Sequence, residues 1–393
     1  MRARKIRPGV TWMGAQDFDR RLFDELIPLP EGTSYNAYLV EGSEKVALID
    51  TVDPDKIATL LAQLEGVPRL DYLIVQHVEQ DHSGSVPRVL EKYPEATVVT
   101  TPKGKGMILD HLHVAEERIK TVEDGETLSL GDRTCRFIHA PWVHWPETML
   151  TLLEEEKVLF TCDLFGSHVA TTELYAHDKQ RIYEAAKRYY AEIMMPFRTV
   201  IKGHLEKLAG LEFELIAPSH GPVYDDVNFI LDAYRHWILD PPEDLVIVPY
   251  VSMHGSTQVA VQRLVDNLVD HGVRTEPFNL TVTDVGRLAI SLVDASTAVF
   301  ATPTVLTGPH PSIVSAAYLT NALRPKLRYA GAIASYGWAG KAERQLADLL
   351  PSLKVDWLEP VVVKGLANDE DLRSIDRLAE AIAERHRTED KNG

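Results

Sequence analysis

Residues His77-Val78-Glu79-Gln80-Asp81-His82-Ser83-Gly84 set four side chains that can ligate a metal into six positions, directly behind the apolar run Tyr72-Leu73-Ile74-Val75. Such a run reads as a buried strand, and Ser83 to Pro87 reads as the start of a helix, so the ligands occupy a loop at a strand's carboxyl end. In extended chain, alternate residues point the same way, which lets His77 and Glu79 share one ion. Asp81 and His82 fall where the chain turns towards the helix and can face a second ion. A pattern of this shape builds two adjacent sites more easily than one.

Three further stretches bring ligands to strand ends. Pro141-Trp142-Val143-His144-Trp145-Pro146 sets His144 between proline-marked turns, just before the strand Thr148 to Leu153. Val158 to Asp163 is an apolar strand that ends in a carboxylate. Leu215 to Pro222 delivers His220 into a glycine and proline turn. A lone histidine or aspartate at a strand end is more often a capped or solvated polar residue than a ligand, by roughly 5 to 1. Seven such residues, all in one half of the chain, reverse that balance. Four imidazoles and three carboxylates with no thiolate form a hard donor set, which suits iron or manganese better than zinc. His111, His113, His168 and His204 lack such company and read as structural or surface residues.

Around this site, two alternating apolar runs, Tyr35 to Val40 and Val46 to Ile49, flank a hairpin turn. Helical patterns over Asp55 to Leu64, Val86 to Lys92 and Gly104 to His111 alternate with strands at Tyr72 and Thr97. That is α/β layering. From Ile182 to Leu211 the chain is helical, and its Tyr189, Tyr190, Met194, Met195 and Phe197 read as core packing.

Asp240-Pro241-Pro242-Glu243-Asp244 breaks helix and strand alike and divides the 393 residues into two domains, 1–243 and 244–393. In the second domain, the strand Leu245 to Tyr250 feeds Ser252, Met253, His254, Gly255, Ser256 and Thr257. A helix with Val261, Leu264, Val265 and Leu268 on one face follows, closed by Gly272. Unpaired N–H groups and small hydroxyls in such a turn can hold a phosphate, although the same turn also serves as a plain N-cap. Two later strands end in similar loops, one with Pro303, Thr304, Val305, Leu306, Thr307 and Gly308, the other with Ser335, Tyr336, Gly337, Trp338, Ala339 and Gly340. All three loops lie at carboxyl ends of strands, where doubly wound sheets bind ligands. No Gly-x-Gly-x-x-Gly is present, so a mononucleotide fits better than a dinucleotide.

The formal charge of −17 argues against nucleic acid, whose phosphates need a concentrated positive surface. Two cysteines, Cys135 and Cys162, form neither a disulfide framework nor a Cys-x-x-Cys module, which favours a reducing, cytoplasmic setting. The basic start is followed by Pro8 and Gly9 instead of an apolar segment, and no membrane span is expected. The stretch from Asn368 to Arg387 reads as the last helix, with Thr388 to Gly393 as a polar tail, leaving too few residues after Val363 for another domain.

These residues carry a family resemblance. The first half resembles the metallo-β-lactamase fold, an αββα sandwich whose usual loop reads His-x-His-x-Asp-His; here Glu79 stands at the second histidine. His144-Trp145-Pro146, Asp163 and Ser219-His220-Gly221-Pro222 resemble the flavodiiron proteins in particular, and the second half resembles flavodoxin, a doubly wound parallel sheet. The resemblance implies two Fe per chain: His77, Glu79 and His144 on one, Asp81, His82 and His220 on the other, and Asp163 bridging. It implies FMN, with its phosphate in the first loop and its ring between the other two; His254 and Ser256 depart from the tyrosine and asparagine common there.

The implied function is an oxidoreductase that reduces O2 to water, NO to N2O, or both. A rubredoxin or similar carrier with its reductase would supply electrons to a head-to-tail homodimer or dimer of dimers. It also raises a tyrosine such as Tyr190 as a proton donor near the irons. Many members carry a histidine in the N-terminal segment where this chain reads Arg21-Leu22-Phe23-Asp24, which leaves the choice between O2 and NO open. The competing expectation is a dinuclear metal hydrolase, which needs only the first domain and has no use for a flavin.

Overall fold

The computed structural model describes residues 1–389 and divides into two compact units. The first comprises Met1–Tyr190 and Phe197–Ile238, and the second Ala191–Pro196 with the chain from Leu239 on.

The first unit holds a seven-stranded and a five-stranded sheet. The larger runs Arg4–Arg7, Val10–Asp17, Thr33–Glu41, Val46–Ile49, Tyr72–Ile74, Thr97–Thr100 and Ile119–Thr121 in spatial order. Its first four strands pair antiparallel and the rest parallel. The smaller runs Thr127–Ser129, Thr134–His139, Met149–Leu153, Val158–Cys162 and Leu215–Pro218, with only the last pair parallel. Strand alternation sorts the core: Tyr38, Val40 and Ile49 face Phe137, Met149 and Phe160 of the other sheet. Their neighbours Tyr35, Ala37, Leu39 and Leu48 face the opposite way, onto Leu60, Leu64, Val89 and Ile108 of the covering helices. Burying each such aliphatic side chain is worth about 1.5–3 kcal/mol, so a one-residue slip in register is heavily penalised.

The short strand Tyr72–Ile74 lies inside the larger sheet, and its carboxyl end opens into the loop of candidate ligands. That loop contains one helical turn, Gln80–Ser83, before the expected helix Val86–Lys92. Asp81 and His82 stand on this helical turn, where the chain is expected to leave the extended stretch.

The second unit is a parallel sheet in the order Arg274–Asn279, Glu243–Tyr250, Ala295–Val305, Tyr329–Tyr336, Asp356–Trp357, with Val361–Lys364 also paired to Tyr329–Tyr336. Numbered along the chain this is 2-1-3-4-5, the flavodoxin-like order, and its direction reverses between Glu243–Tyr250 and Ala295–Val305. Glu243 and Asp244 already belong to a strand, so the irregular stretch between helix and strand is Asp240–Pro242. The strand expected to end in a loop at Pro303, Thr304 and Val305 instead continues through these residues and folds back on Gly308–Pro309. Leu306 and Thr307 take left-handed backbone, φ 48° and 70°, which closes this as a tight hairpin, not an open loop. Of the expected polar tail, Thr388 and Glu389 end the last helix, Asp369–Glu389, and Asp390 to Gly393 lie outside the described residues. Among the described residues no helix is long and apolar enough to cross a membrane.

Candidate metal centre and nucleotide loops

All seven ligand candidates come together. Ligand atoms of His77, Glu79, His144 and Asp163 lie within 4.8 Å of one another, as do those of Asp81, His82 and His220. Glu79 Oε2 is 3.1 Å from His77 Nε2 and 3.0 Å from His144 Nε2. Asp81 Oδ2 is 3.1 Å from His220 Nε2, and Asp81 Oδ1 is 3.4 Å from His82 Nε2. Asp163 joins the two groups. Its Oδ2 is 3.4 Å from both His77 Nε2 and His144 Nε2, while its Oδ1 is 3.0 Å from His82 Nε2 and 3.4 Å from His220 Nε2.

The outer nitrogens show which inner atoms are available. His77 Nδ1–H donates to Glu147 Oε1 at 2.7 Å, and His220 Nδ1–H donates to the Ser34 carbonyl at 2.7 Å. Each Nε2 then turns a lone pair on carboxylate oxygens, a repulsive arrangement unless a cation or a proton lies between them. Apart from these close contacts between the candidate ligands themselves, both oxygens of Asp81, both of Asp163 and both ring nitrogens of His82 are buried with no hydrogen-bond partner. Orphaned buried polar atoms on this scale mark a missing charge. Burial works against protonated imidazoles here, yet the carboxylates outweigh it: Asp163 and Glu79 push His144 up to about 9, and Asp163 and Asp81 push His220 up to about 10. A metal ion must displace those protons, so its binding weakens as pH falls. Cys162 also lies within 4.8 Å of His82 and Asp163. Burial, then the charges of Asp163 and Asp50, push its thiol far above the ordinary value, which keeps it a poor ligand.

Long-range hydrogen bonds fix His220. Asn36 Nδ2 donates to the carbonyls of Pro218 and Gly221, each at 2.8 Å, and Tyr38 Oη donates to Pro218 at 2.7 Å. Gly221, at φ 82°, donates its N–H to Ser34 Oγ at 2.7 Å. Each bond is worth on the order of 1 kcal/mol net, and together they lock the turn after Leu215–Pro218 to the strand Thr33–Glu41.

In the second unit the helix Ser256–Asp270 follows Gly255, which has φ 90° and open space where a Cβ would project. Gly337 also opens onto free space. Ser252 Oγ accepts from the N–H groups of Gly255 and Gln258 at 3.2 Å each, so part of the phosphate-binding potential is met by the loop's own hydroxyl. Thr257 Oγ1 and Ser335 Oγ, 2.9 Å apart, tie the first loop to the third. Thr304 Oγ1 is buried without a partner. Trp338 is 83% exposed. A cradle open at its glycines and holding an orphaned hydroxyl fits a mononucleotide.

The family model described as ODP family beta lactamase matches residues 33–221. The chain is 36% identical over 370 residues to the type A flavoprotein of Rhodobacter capsulatus, covering 90% of this chain and 85% of that one. It is 33% identical over 391 residues to a nitric oxide reductase of Moorella thermoacetica, with 97% and 98% covered. The solved rubredoxin oxygen:oxidoreductase of Desulfovibrio gigas matches with a TM-score of 0.95 at 31% identity, over 98% of this chain and 99% of that one. This chain belongs to the flavodiiron proteins, the type A flavoproteins.

Three residues around the centre of this flavodiiron protein escaped the sequence reading. Glu147, 2% exposed, accepts from His77 Nδ1 and, at 2.9 Å, from the Val78 N–H. Its only sequence signal was a carboxylate one step before an apolar strand. Tyr189 takes the place expected for Tyr190. Its ring lies 5.7 Å from His220, and burial with the Asp163 and Asp81 charges pushes its phenol far up, whereas Tyr190 packs on Tyr234 and Trp237. His168, read as structural or surface, is buried 4.9 Å from His220, and burial and that neighbour hold it neutral. Phe23 packs on His168 at 4.9 Å; partial burial with the Glu79 and Asp81 charges raises its neighbour Asp24.

Glu147→Leu leaves His77 Nδ1–H and Val78 N–H buried and unpaired, and is expected to weaken metal retention at the His77 group by about 10- to 100-fold. Glu147→Gln keeps an acceptor and should lose less. Chelator competition followed by metal analysis measures both, and equal retention in all three proteins refutes the role.

Proposed function

We propose that this chain takes electrons through FMN and delivers them to two irons, reducing O2 to water, NO to N2O, or both. Residues 1–243 carry the iron centre and residues 244–393 the flavin. His77, Glu79 and His144 would hold one ion, Asp81, His82 and His220 the other, and Asp163 both. The observation that carries this reading is Asp163, whose two oxygens face separate ligand groups, in a chain that also has a 2-1-3-4-5 sheet with three loops at one edge. Three carboxylates among seven ligands favour iron over zinc. When bound, the irons supply redox equivalents and Lewis acidity, and the flavin supplies electrons singly.

The chain's own residues do the rest. Glu147 and the Ser34 carbonyl fix the tautomers of His77 and His220, so that each Nε2 faces inward. Burial of His77, His82, Asp163 and His220 keeps bulk water from the centre. The loops at Ser252–Thr257, Pro303–Gly308 and Ser335–Gly340 would hold FMN, and the helix Ser256–Asp270 favours its phosphate through unpaired N–H groups. A rubredoxin-type carrier would donate the electrons, and a head-to-tail homodimer or dimer of dimers would place the flavin of one copy against the irons of another. The D. gigas relative, named for both rubredoxin and oxygen, supports the carrier.

Protein grown with ample iron is expected to contain two irons and one FMN per chain, and its anaerobically reduced flavin is expected to reoxidise on adding O2 or NO. Measuring both rates assigns the preferred substrate. Stoichiometric zinc with hydrolase activity would sink the reading.

A further inference from the structure

Beside His220 lie buried polar atoms that the seven ligands do not account for. The outer nitrogens of both His77 and His220 are used, Nδ1 of the first donating to Glu147 and Nδ1 of the second to the Ser34 carbonyl. Two ring side chains beside His220 are buried with a polar atom that has no hydrogen-bond partner: Nε2 of His168, 3% exposed, and the hydroxyl of Tyr35, 0% exposed. Both rings pack on His220, with centroids at 4.9 Å and 5.8 Å.

His168 is mounted rigidly. The N–H of Ser167 bonds the His220 carbonyl at 3.2 Å, and that of Ala170 bonds the Glu31 carbonyl at 2.9 Å, so the backbone on both sides of His168 is pinned. The ring is held between Phe23 at 4.9 Å and Tyr189 at 4.8 Å. Its Nδ1 lies 2.9 Å from Thr33 Oγ1, whereas the other acceptor of that hydroxyl, the Ser34 carbonyl, is at 3.5 Å, the outer limit for such a bond. The hydroxyl proton therefore goes to Nδ1, and His168 carries its own proton on Nε2. A buried N–H without an acceptor is destabilising, and its retention points to an acceptor that arrives from outside the chain.

We propose that His168 is a ligand-binding residue whose Nε2–H donates a hydrogen bond to a small oxygen- or nitrogen-bearing ligand held on the Asp81, His82 and His220 side of the centre. Thr33 acts as its positioning residue by fixing the tautomer. The inference rests on the dimetal reading above and deepens it, because it assigns a side of the centre to the exogenous ligand and names the group that recognises it.

The probe is azide, a small anion with lone pairs at both ends, titrated spectroscopically into the oxidised, iron-loaded full chain. His168→Phe fills the space between Phe23 and Tyr189 without a donor and is expected to weaken azide binding about tenfold, the equivalent of one lost hydrogen bond, with iron content unchanged. His168→Gln, which restores an N–H donor, should recover most of that loss. Thr33→Val, which leaves the ring but frees its tautomer, should weaken binding about threefold and gives a readout should His168→Phe not fold. Iron-loaded wild type and His168→Phe with the same azide affinity would overturn the inference while leaving the dimetal reading intact. Wild-type protein that takes up no iron overturns both.

Discussion

Asp163→Ala is expected to lose both metal ions together and to drop O2 or NO turnover by more than about 100-fold, beyond the range that outer ligand changes cost. The expectation follows from geometry. Asp163 Oδ2 faces His77 and His144 while Oδ1 faces His82 and His220, so this single side chain supplies an oxygen to each group. Removing it leaves the first group with Glu79 and the second with Asp81 as sole carboxylates, each beside two imidazoles. Two cations so close would then repel one another without a shared anion between them.

The fold should survive, because Asp163 lies just past the strand Val158–Cys162, whose pairing with Leu215–Pro218 is untouched. Metal analysis alongside circular dichroism checks the result. The imidazoles give a second readout in the metal-free protein. Asp163 heads the groups that outweigh burial to push His144 to about 9 and His220 to about 10, so both should titrate markedly lower in Asp163→Ala. Loss of one ion alone, with the other held as tightly as in wild type, would show that Asp163 serves a single site.

Electron supply is expected to give the other large effect. With NADH as sole reductant the purified chain should run at under about 1% of its full rate, and adding a rubredoxin with its reductase should bring turnover towards the enzyme median of about 10 per second. No Gly-x-Gly-x-x-Gly occurs in the sequence, so a dinucleotide's pyrophosphate has no cradle of the usual kind, and no Cys-x-x-Cys pair is present to hold a rubredoxin-type iron. The three loops proposed for FMN instead carry exposed apolar side chains, Met253 at 51%, Leu306 at 93% and Trp338 at 83% exposed, a surface suited to a transient protein donor. Stopped-flow reduction of the flavin separates the cases. Rapid bleaching by NADH without added protein would refute the need for a carrier.

Much of this protein was legible along the chain because its ligands sit where local signals are strongest. Apolar runs that end in His77, Asp163 or His220 announce strand ends, and the period-2 pattern from Tyr35 to Val40 fixes which side chains reach each core. The order of apolar strands and turns from Leu245 on likewise carries the doubly wound sheet. What the chain alone left open depends on contacts between distant segments. Adjacent residues on a helix point about 100° apart, so whether Tyr189 or Tyr190 faces the cluster of candidate ligands is a matter of helix phase. Packing of Tyr190 against Tyr234 and Trp237, more than 40 positions away, turns Tyr189 inward, and the wider turn over Tyr190–Met194 begins just past it. Leu306 and Thr307 adopt left-handed backbone without the glycine that would advertise it, so the hairpin there had no local mark. Glu147 and His168 are single polar residues in unremarkable stretches. Only the tertiary structure decides their roles, because a buried polar atom takes its meaning from the partner that folding brings to it, Nδ1 of His77 for one and the hydroxyl of Thr33 for the other.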